Sequence, residues 1–204
     1  MAKIFRVDAR TALGSAVEPI ARALLRLGIT PNTVTVAGTI GVLIGSIGFA
    51  ARGQFLIALV VIVVFALTDF LDGTMARMKG GSTRFGAFLD SSMDRVADAG
   101  IFASVAYYLA TQDDRWGMVA ALLCLTVGQL VSYVKARAEG LGMTCNVGIA
   151  ERPERLITVG VGGLLHIIGL EWALVAALWV LAVLSVITVG QRIAHVYKQA
   201  QTKA

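Results

Sequence analysis

Charge is scarce in this chain. Only 15% of its 204 residues are Asp, Glu, Lys or Arg, against about 25% in an average soluble domain. Apolar residues make up 57%, and the mean hydropathy is +0.77. Such a composition excludes a soluble enzyme and a disordered chain. Cysteine is scarcer still. Cys124 and Cys145 follow no metal-ligand spacing, so a disulfide scaffold is excluded and both read as free thiols. No internal repeat or low-complexity segment stands out. The basic stretch Met1–Thr11 lacks a following short apolar run with a small-residue cleavage site, so no cleaved signal peptide is expected. What remains is an all-α, multi-pass membrane protein. It is expected to form one domain over residues 1–204, with a juxtamembrane segment 1–30 and a transmembrane core 31–204.

Six apolar runs are present: Thr33–Ala51, Gly53–Thr68, Ala99–Gln112, Trp116–Val134, Leu156–Leu170 and Trp172–Gln191. A spanning helix needs about 20 mostly apolar residues. The first, fourth and sixth runs meet that length alone. The others reach it by continuing into the charged stretches Asp69–Arg77, Asp90–Asp98 and Glu151–Arg155. Six transmembrane helices follow. Pro31 precedes the first, with Asn32 or Thr33 as its cap. Upstream, Val17, Ile20, Ala21, Leu24, Leu25 and Leu27 recur near helical period beside Arg22 and Arg26. This pattern predicts an amphipathic helix in the membrane interface.

The few charges are sorted. With six spans both termini share one side. That side holds Lys3, Arg6, Arg10, Arg22, Arg26, Arg77, Lys79, Arg84, Arg95, Lys135, Arg137, Arg152, Arg155, Arg192, Lys198 and Lys203, and the other only Arg52 and Arg115. Positive residues stay inside, so both termini are expected in the cytoplasm, at the cell membrane. The net charge of +5 therefore reflects topology, and no nucleic-acid partner is expected. Trp116 and Trp172 fall at outer span ends. His166 reads as a packed or hydrogen-bonded residue, His195 as solvated, and Gly160, Gly162 and Gly163 as helix-packing positions.

The acids form a pattern. Asp69 and Asp72 are three apart, and Asp90 and Asp94 four apart, so each pair shares a helix face; Asp98 continues the second row. One short loop separates the two segments, so four carboxylates converge at one depth. A mid-membrane Asp costs about 2.5–3.5 kcal/mol on insertion scales, and the group needs compensation. A divalent metal supplies it, and all-oxygen ligands suit Mg²⁺, Mn²⁺ or Ca²⁺. The alternative is pairing with Arg around a polar cavity, as in a cation transporter. Gly73 and Gly86 each remove a side chain beside the carboxylates, which lets a ligand or helix approach.

Together these residues read Asp-x2-Asp-Gly-x2-Ala-Arg-x8-Gly-x3-Asp-x3-Asp from Asp69 to Asp94. The motif resembles the signature of the CDP-alcohol phosphotransferase family of phospholipid synthases. The resemblance implies transfer of a phosphatidyl group from CDP-diacylglycerol to an alcohol, with release of CMP. It implies Asp69, Asp72, Asp90 and Asp94 as ligands of two Mg²⁺ ions, with Mn²⁺ as an alternative, and Asp94 as general base. It places Pro31, Asn32, Thr33, Gly73, Ala76, Arg77, Ser82, Thr83 and Gly86 around the donor. It also implies a homodimer in the bilayer.

A basic set lies apart from the motif. Ser132 and Lys135 share a face of the fourth span, Arg152 and Arg155 begin the fifth, and Arg192 ends the sixth, with Arg137 nearby. Arg and Lys bind phosphate well, so these residues are candidates for a phosphate on the acceptor. The plain alternative is the positive-inside rule, with Glu139, Glu151 and Glu154 as pairing partners. Two phosphorylated polyols fit, inositol 1-phosphate and glycerol 3-phosphate. The short chain and its basic N-terminal helix resemble the actinobacterial branch of the family, whose acceptor is inositol 1-phosphate. A cation transporter using the Asp cluster is the rival class. It does not require Gly73, Ala76, Arg77 and Gly86 at these spacings.

Overall fold

The computed structural model describes residues 17–202. Lys3, Arg6, Arg10 and Lys203 of the charge argument lie outside the described residues, as does Met1–Thr11. The described residues are helical almost throughout, with no strand. A first helix, α1, covers residues 17–26. It is followed by α2 (Pro31–Leu43), α3 (Phe55–Ala66), α4 (Thr68–Met78), α5 (Arg84–Thr111), α6 (Arg115–Gly140), α7 (Arg152–Ile167) and α8 (Trp172–Thr202).

The helix starts follow from local chemistry. Thr30, not Asn32 or Thr33, caps α2: its side chain accepts from the Thr33 N–H at 3.2 Å. Pro31 is the reason. Its ring fits the first helical position, where no N–H is needed, and that pushes the cap one residue upstream. Thr83 caps α5 by accepting from the Gly86 N–H at 2.9 Å, and Asp114 caps α6 through the Gly117 N–H at 2.8 Å.

Two spans are irregular. The α2 rod continues through a π-helical turn, Ile44–Phe49, and a 3₁₀ turn, Ala50–Arg52. It ends at Gly53, whose φ of 73° suits glycine. The second span breaks at Leu67 between α3 and α4, where the Thr68 hydroxyl donates to the Phe65 carbonyl at 2.5 Å. A glycine row on α2 faces this region. A methyl group at Gly38 would strike Thr68, one at Gly41 would strike the Phe65 ring, and one at Gly45 would come within 2.9 Å of Ile62. Small residues let these backbones approach closely, as membrane helices require.

Contacts close a ring of six helices in the order α2, α3, α7, α8, α6 and α5, with α4 packed on α2. The interior is built largely from small side chains, including Ala97, Ala106, Ala120, Ala121 and Ala182, around Phe102, Leu174, Leu178 and Leu181. Cys124 lies here as a free thiol 3.1 Å from the Leu178 carbonyl oxygen; Cys145 is also free and buried. At one end of the ring, His166 is hydrogen-bonded as expected, with Nε2 3.1 Å from the Tyr108 hydroxyl and Nδ1 3.0 Å from the Glu171 carbonyl oxygen. Gly162 packs tightly on Ala177 and Leu174, joining α7 to α8.

Among the described residues, four helices are long and apolar enough to cross a bilayer: Pro31–Arg52, Phe55–Met78, Arg115–Gly140 and Trp172–Gln201. The protein is therefore membrane-integral. Of the other two expected spans, α5 has the length but carries Asp90, Asp94, Arg95 and Asp98, and α7 has 16 residues. Helix α1 buries Ala21 against Val34 and Met75, with Leu24 and Leu25 alongside, and leaves Ile20 exposed; Leu27, just past its end, is exposed too.

Candidate active site

The acidic motif lies where α4 meets α5. Asp69 and Asp72 come from α4, and Asp90, Asp94 and Asp98 from α5. Gly80 and Gly81 turn the chain between them, with φ of 96° and 122°, where a side chain would be strained. Thr35 on α2 donates its hydroxyl to Asp72 Oδ2 at 2.5 Å, which fixes that carboxylate.

Beside Asp72 and Asp90 opens a cleft of about 560 Å³. Its walls include Pro31, Asn32, Gly73, Ala76, Arg77, Ser82, Thr83 and Gly86, eight of the nine residues expected around a donor. Thr33 is the exception: it is exposed, and its hydroxyl lies 2.9 Å from that of Thr30. Sequence reasoning missed Thr30, Thr35, Lys79 and Gly81, which also line the cleft. A signal for Thr35 existed, since it lies four residues after Pro31 and so shares its helix face. A methyl at Gly73 would have only Arg77 Nη1 nearby, at 3.7 Å, so Gly73 presents bare backbone to the cleft. Arg77 Nη2 donates to the Thr74 hydroxyl at 2.8 Å.

Asp69 and Asp94 meet on a cation. Arg152 Nη1 lies 2.7 Å from Asp94 Oδ1 and 3.3 Å from Asp69 Oδ2, while its Nε lies 3.1 Å from Asp98 Oδ1. The other Asp98 oxygen takes Arg155 Nη2 at 2.6 Å. Arg155 is 1% exposed, and a buried guanidinium is tolerated only with such a partner. Gly128 on α6 makes room for it, since a methyl there would stand 3.4 Å from Arg155 Nε.

The start of α7 is anchored by α8. The Thr188 hydroxyl oxygen accepts from the Ile149 and Ala150 N–H groups at 3.2 and 3.0 Å. Arg192 donates to the Val147 and Val131 carbonyls at 2.8 and 2.6 Å, with Glu151 Oε1 at 3.5 Å. The basic set thus divides. Arg152 joins the acids, Arg155 and Arg192 are buried on protein partners, and Lys135 pairs with Glu139 at 3.8 Å. Ser132 is half-buried and Arg137 exposed.

Among the described residues, no three His, Cys, Asp or Glu side chains converge tightly enough to hold an ion as they are placed. The donor chemistry nonetheless fits a divalent cation. Asp69 and Asp94 already share one positively charged nitrogen, and every available ligand is a carboxylate oxygen, which hard ions prefer.

The phosphatidylinositol phosphate synthase of Mycolicibacterium smegmatis is 46% identical over 188 residues, covering 90% of this chain and 85% of that protein. The Streptomyces avermitilis enzyme of the same name is 41% identical over 200 residues, covering 94% and 82%. The crystal structure of Mycobacterium tuberculosis phosphatidylinositol phosphate synthase with CDP-DAG bound superposes with a TM-score of 0.86 at 42% identity, covering 89% of this chain and 93% of that one. A second structure of that enzyme, in complex with manganese and citrate, has a TM-score of 0.85 and covers 89% and 88% at the same identity. The CDP-alcohol phosphatidyltransferase family model matches residues 28–190. With a match across most of its length and relatives above 40% identity, the chain belongs to the CDP-alcohol phosphatidyltransferase family.

Proposed function

We propose that this protein transfers the phosphatidyl group of CDP-diacylglycerol to a hydroxyl of inositol 1-phosphate, yielding phosphatidylinositol phosphate and CMP. The observation that carries the reading is the joining of two features. A cleft lined by Gly73, Ala76, Arg77 and Gly86 runs directly into Asp72 and Asp90, and Asp69 and Asp94 gather on the adjoining cation. The choice of acceptor follows the relatives' name. Family membership leaves the cation-transport alternative without support.

In this reading the cleft holds the nucleotide and diphosphate. Bare backbone at Gly73 allows close approach, and Arg77 balances phosphate charge. Asp69, Asp72, Asp90 and Asp94 would hold Mg²⁺ or Mn²⁺, two ions in all, which when bound neutralise the diphosphate and charge on the departing CMP oxygen. Asp94 accepts the proton of the acceptor hydroxyl. The acceptor oxygen then bonds to the phosphatidyl phosphorus as the bond from that phosphorus to the CMP oxygen breaks. Lys135, Arg137, Arg152, Arg155, Arg192 and Ser132 form the surroundings of the acceptor phosphate. Lys135 and Arg137 do so from accessible positions, and Arg155 and Arg192 from within the wall.

The proposal extends to topology. The chain forms one domain of six spans, with α5 and α7 as the third and fifth, α1 in the interface, and both termini and the site on the cytoplasmic side of the cell membrane. The protein works as a homodimer. The test is CMP release from CDP-diacylglycerol by the purified protein, with and without Mg²⁺, given inositol 1-phosphate or glycerol 3-phosphate. Turnover should need the metal and prefer inositol 1-phosphate. Preference for glycerol 3-phosphate would overturn the acceptor, and no release with either would overturn the reading.

A further inference from the structure

We propose that Arg152 is a built-in counter-cation that competes with the divalent ion for Asp69 and Asp94 and gives up its place when the ion binds. The proposal rests on the reading of the site as a metal-dependent transferase.

Three features of the geometry carry it. First, a single nitrogen, Nη1 of Arg152, serves carboxylates from two helices, Asp69 on α4 and Asp94 on α5. A divalent ion drawn to those two oxygens competes with it directly, because two positive charges repel strongly at that distance; the other Asp94 oxygen lies 3.5 Å from Arg95 Nη2. Second, the third carboxylate does not depend on Arg152. Asp98 keeps Arg155 on its other oxygen at 2.6 Å, and that pair is almost fully buried. Departure of Arg152 therefore leaves no orphaned buried charge. The two arginines are not equivalent: Arg155 is a fixed partner, and Arg152 a detachable bridge.

Third, Arg152 can move without the fold moving. It is the first residue of α7, and its side chain is 24% exposed against 2% for Arg155. The backbone just before it is held by the bonds of Thr188 and Arg192 to residues 147–150. A side-chain rotation suffices. The freed guanidinium then becomes available to a phosphate on the acceptor, so that loading of the metal prepares the second substrate's site.

The experiment is titration of the purified full-length protein with Mn²⁺, reading free ion by electron paramagnetic resonance, for wild type, R152Q and R152K. Melting temperature is measured alongside, in EDTA and in Mn²⁺. R152Q is expected to bind Mn²⁺ at least about fivefold tighter, the lower range for two coupled ligands. R152K keeps the charge but loses the planar fork that bridges carboxylates, so it too should bind tighter, by less. The melting temperature of R152Q should fall in EDTA and recover in Mn²⁺. A purely structural role would lower the melting temperature and leave Mn²⁺ affinity alone. Unchanged or weaker Mn²⁺ binding in R152Q overturns the proposal. If R152Q does not fold, R152K carries the same criterion. Wild type that binds no Mn²⁺ and releases no CMP overturns the functional reading and this proposal with it. Wild type that does both, with variants unmoved, overturns this proposal alone.

Discussion

The Thr35 hydroxyl donates to Asp72 Oδ2 at 2.5 Å, joining residues 37 apart in sequence and lying on different helices. Thr35 is 8% exposed and Asp72 7%. The carboxylate on the cleft wall is thus aimed by a hydroxyl from another helix.

Replacing Thr35 tests that aim. Hydrogen bonds to charged groups are worth about 1.5–3 kcal/mol, and partners that orient metal ligands typically contribute 10–100-fold. Thr35→Val should lower kcat/KM for CMP release by about 10–100-fold, and Thr35→Ser should restore most of it. Loss in Thr35→Ser with little loss in Thr35→Val would point to packing of the methyl group instead.

Asp94 and Asp98 are one helical turn apart and should behave oppositely. Asp94→Asn should abolish CMP release while CDP-diacylglycerol still binds and the melting temperature holds. Asp98→Asn strips the buried Arg155 of its partner, which costs about 3–5 kcal/mol. That variant should melt well below wild type. Thermal melts and a donor-binding assay separate the two outcomes.

Gly73 is open toward the cleft, with only Arg77 Nη1 within 4 Å of an added methyl. Gly73→Ala should therefore fold normally and yet raise the donor KM, on the order of tenfold or more given how steeply misplacement weakens catalysis. Gly41→Ala is the control for packing. Its methyl would strike the Phe65 ring, so it should lose about 1–3 kcal/mol of stability.

Lys135 is the cleaner probe of the acceptor. Its ammonium pairs with Glu139 across one helical turn at 3.8 Å, an exposed contact worth little. Lys135→Ala should raise the acceptor KM by roughly tenfold, the loss of one charge-assisted bond, with donor KM and melting temperature unchanged. Arg192→Ala frees two backbone carbonyls and Glu151, and should lower the melting temperature as well. Equal changes in both KM values for Lys135→Ala would remove it from the acceptor site.

Much of this was legible in the sequence because membranes simplify the code. Apolar runs marked the helices, and α5 continues through its charged segment to 28 residues as the run-length argument required. The spacing of Asp69, Asp72, Asp90 and Asp94 predicted two helix faces, and the cleft takes up eight of nine expected donor residues. The cap of α2 was misplaced because the effect of Pro31 on the preceding residue was not applied. The π and 3₁₀ turns after Leu43 left no periodic trace, since an apolar run reads the same in any helix geometry.

Charge pairing lay beyond the sequence. Local spacing determines which acids share a face, because helical geometry is set within a few residues. Nothing local says that Arg152 reaches both Asp69 and Asp94 while Arg155, three residues on, is sealed against Asp98. Those partners lie 54 to 83 residues away, and only the closure of the helix ring brings them together. By itself the sequence determined that the chain is a membrane protein carrying a phosphatidyl-transfer motif. Tertiary structure decided which arginine is locked in the wall and which is placed to leave, because burial and the number of partners are properties of the packed ring.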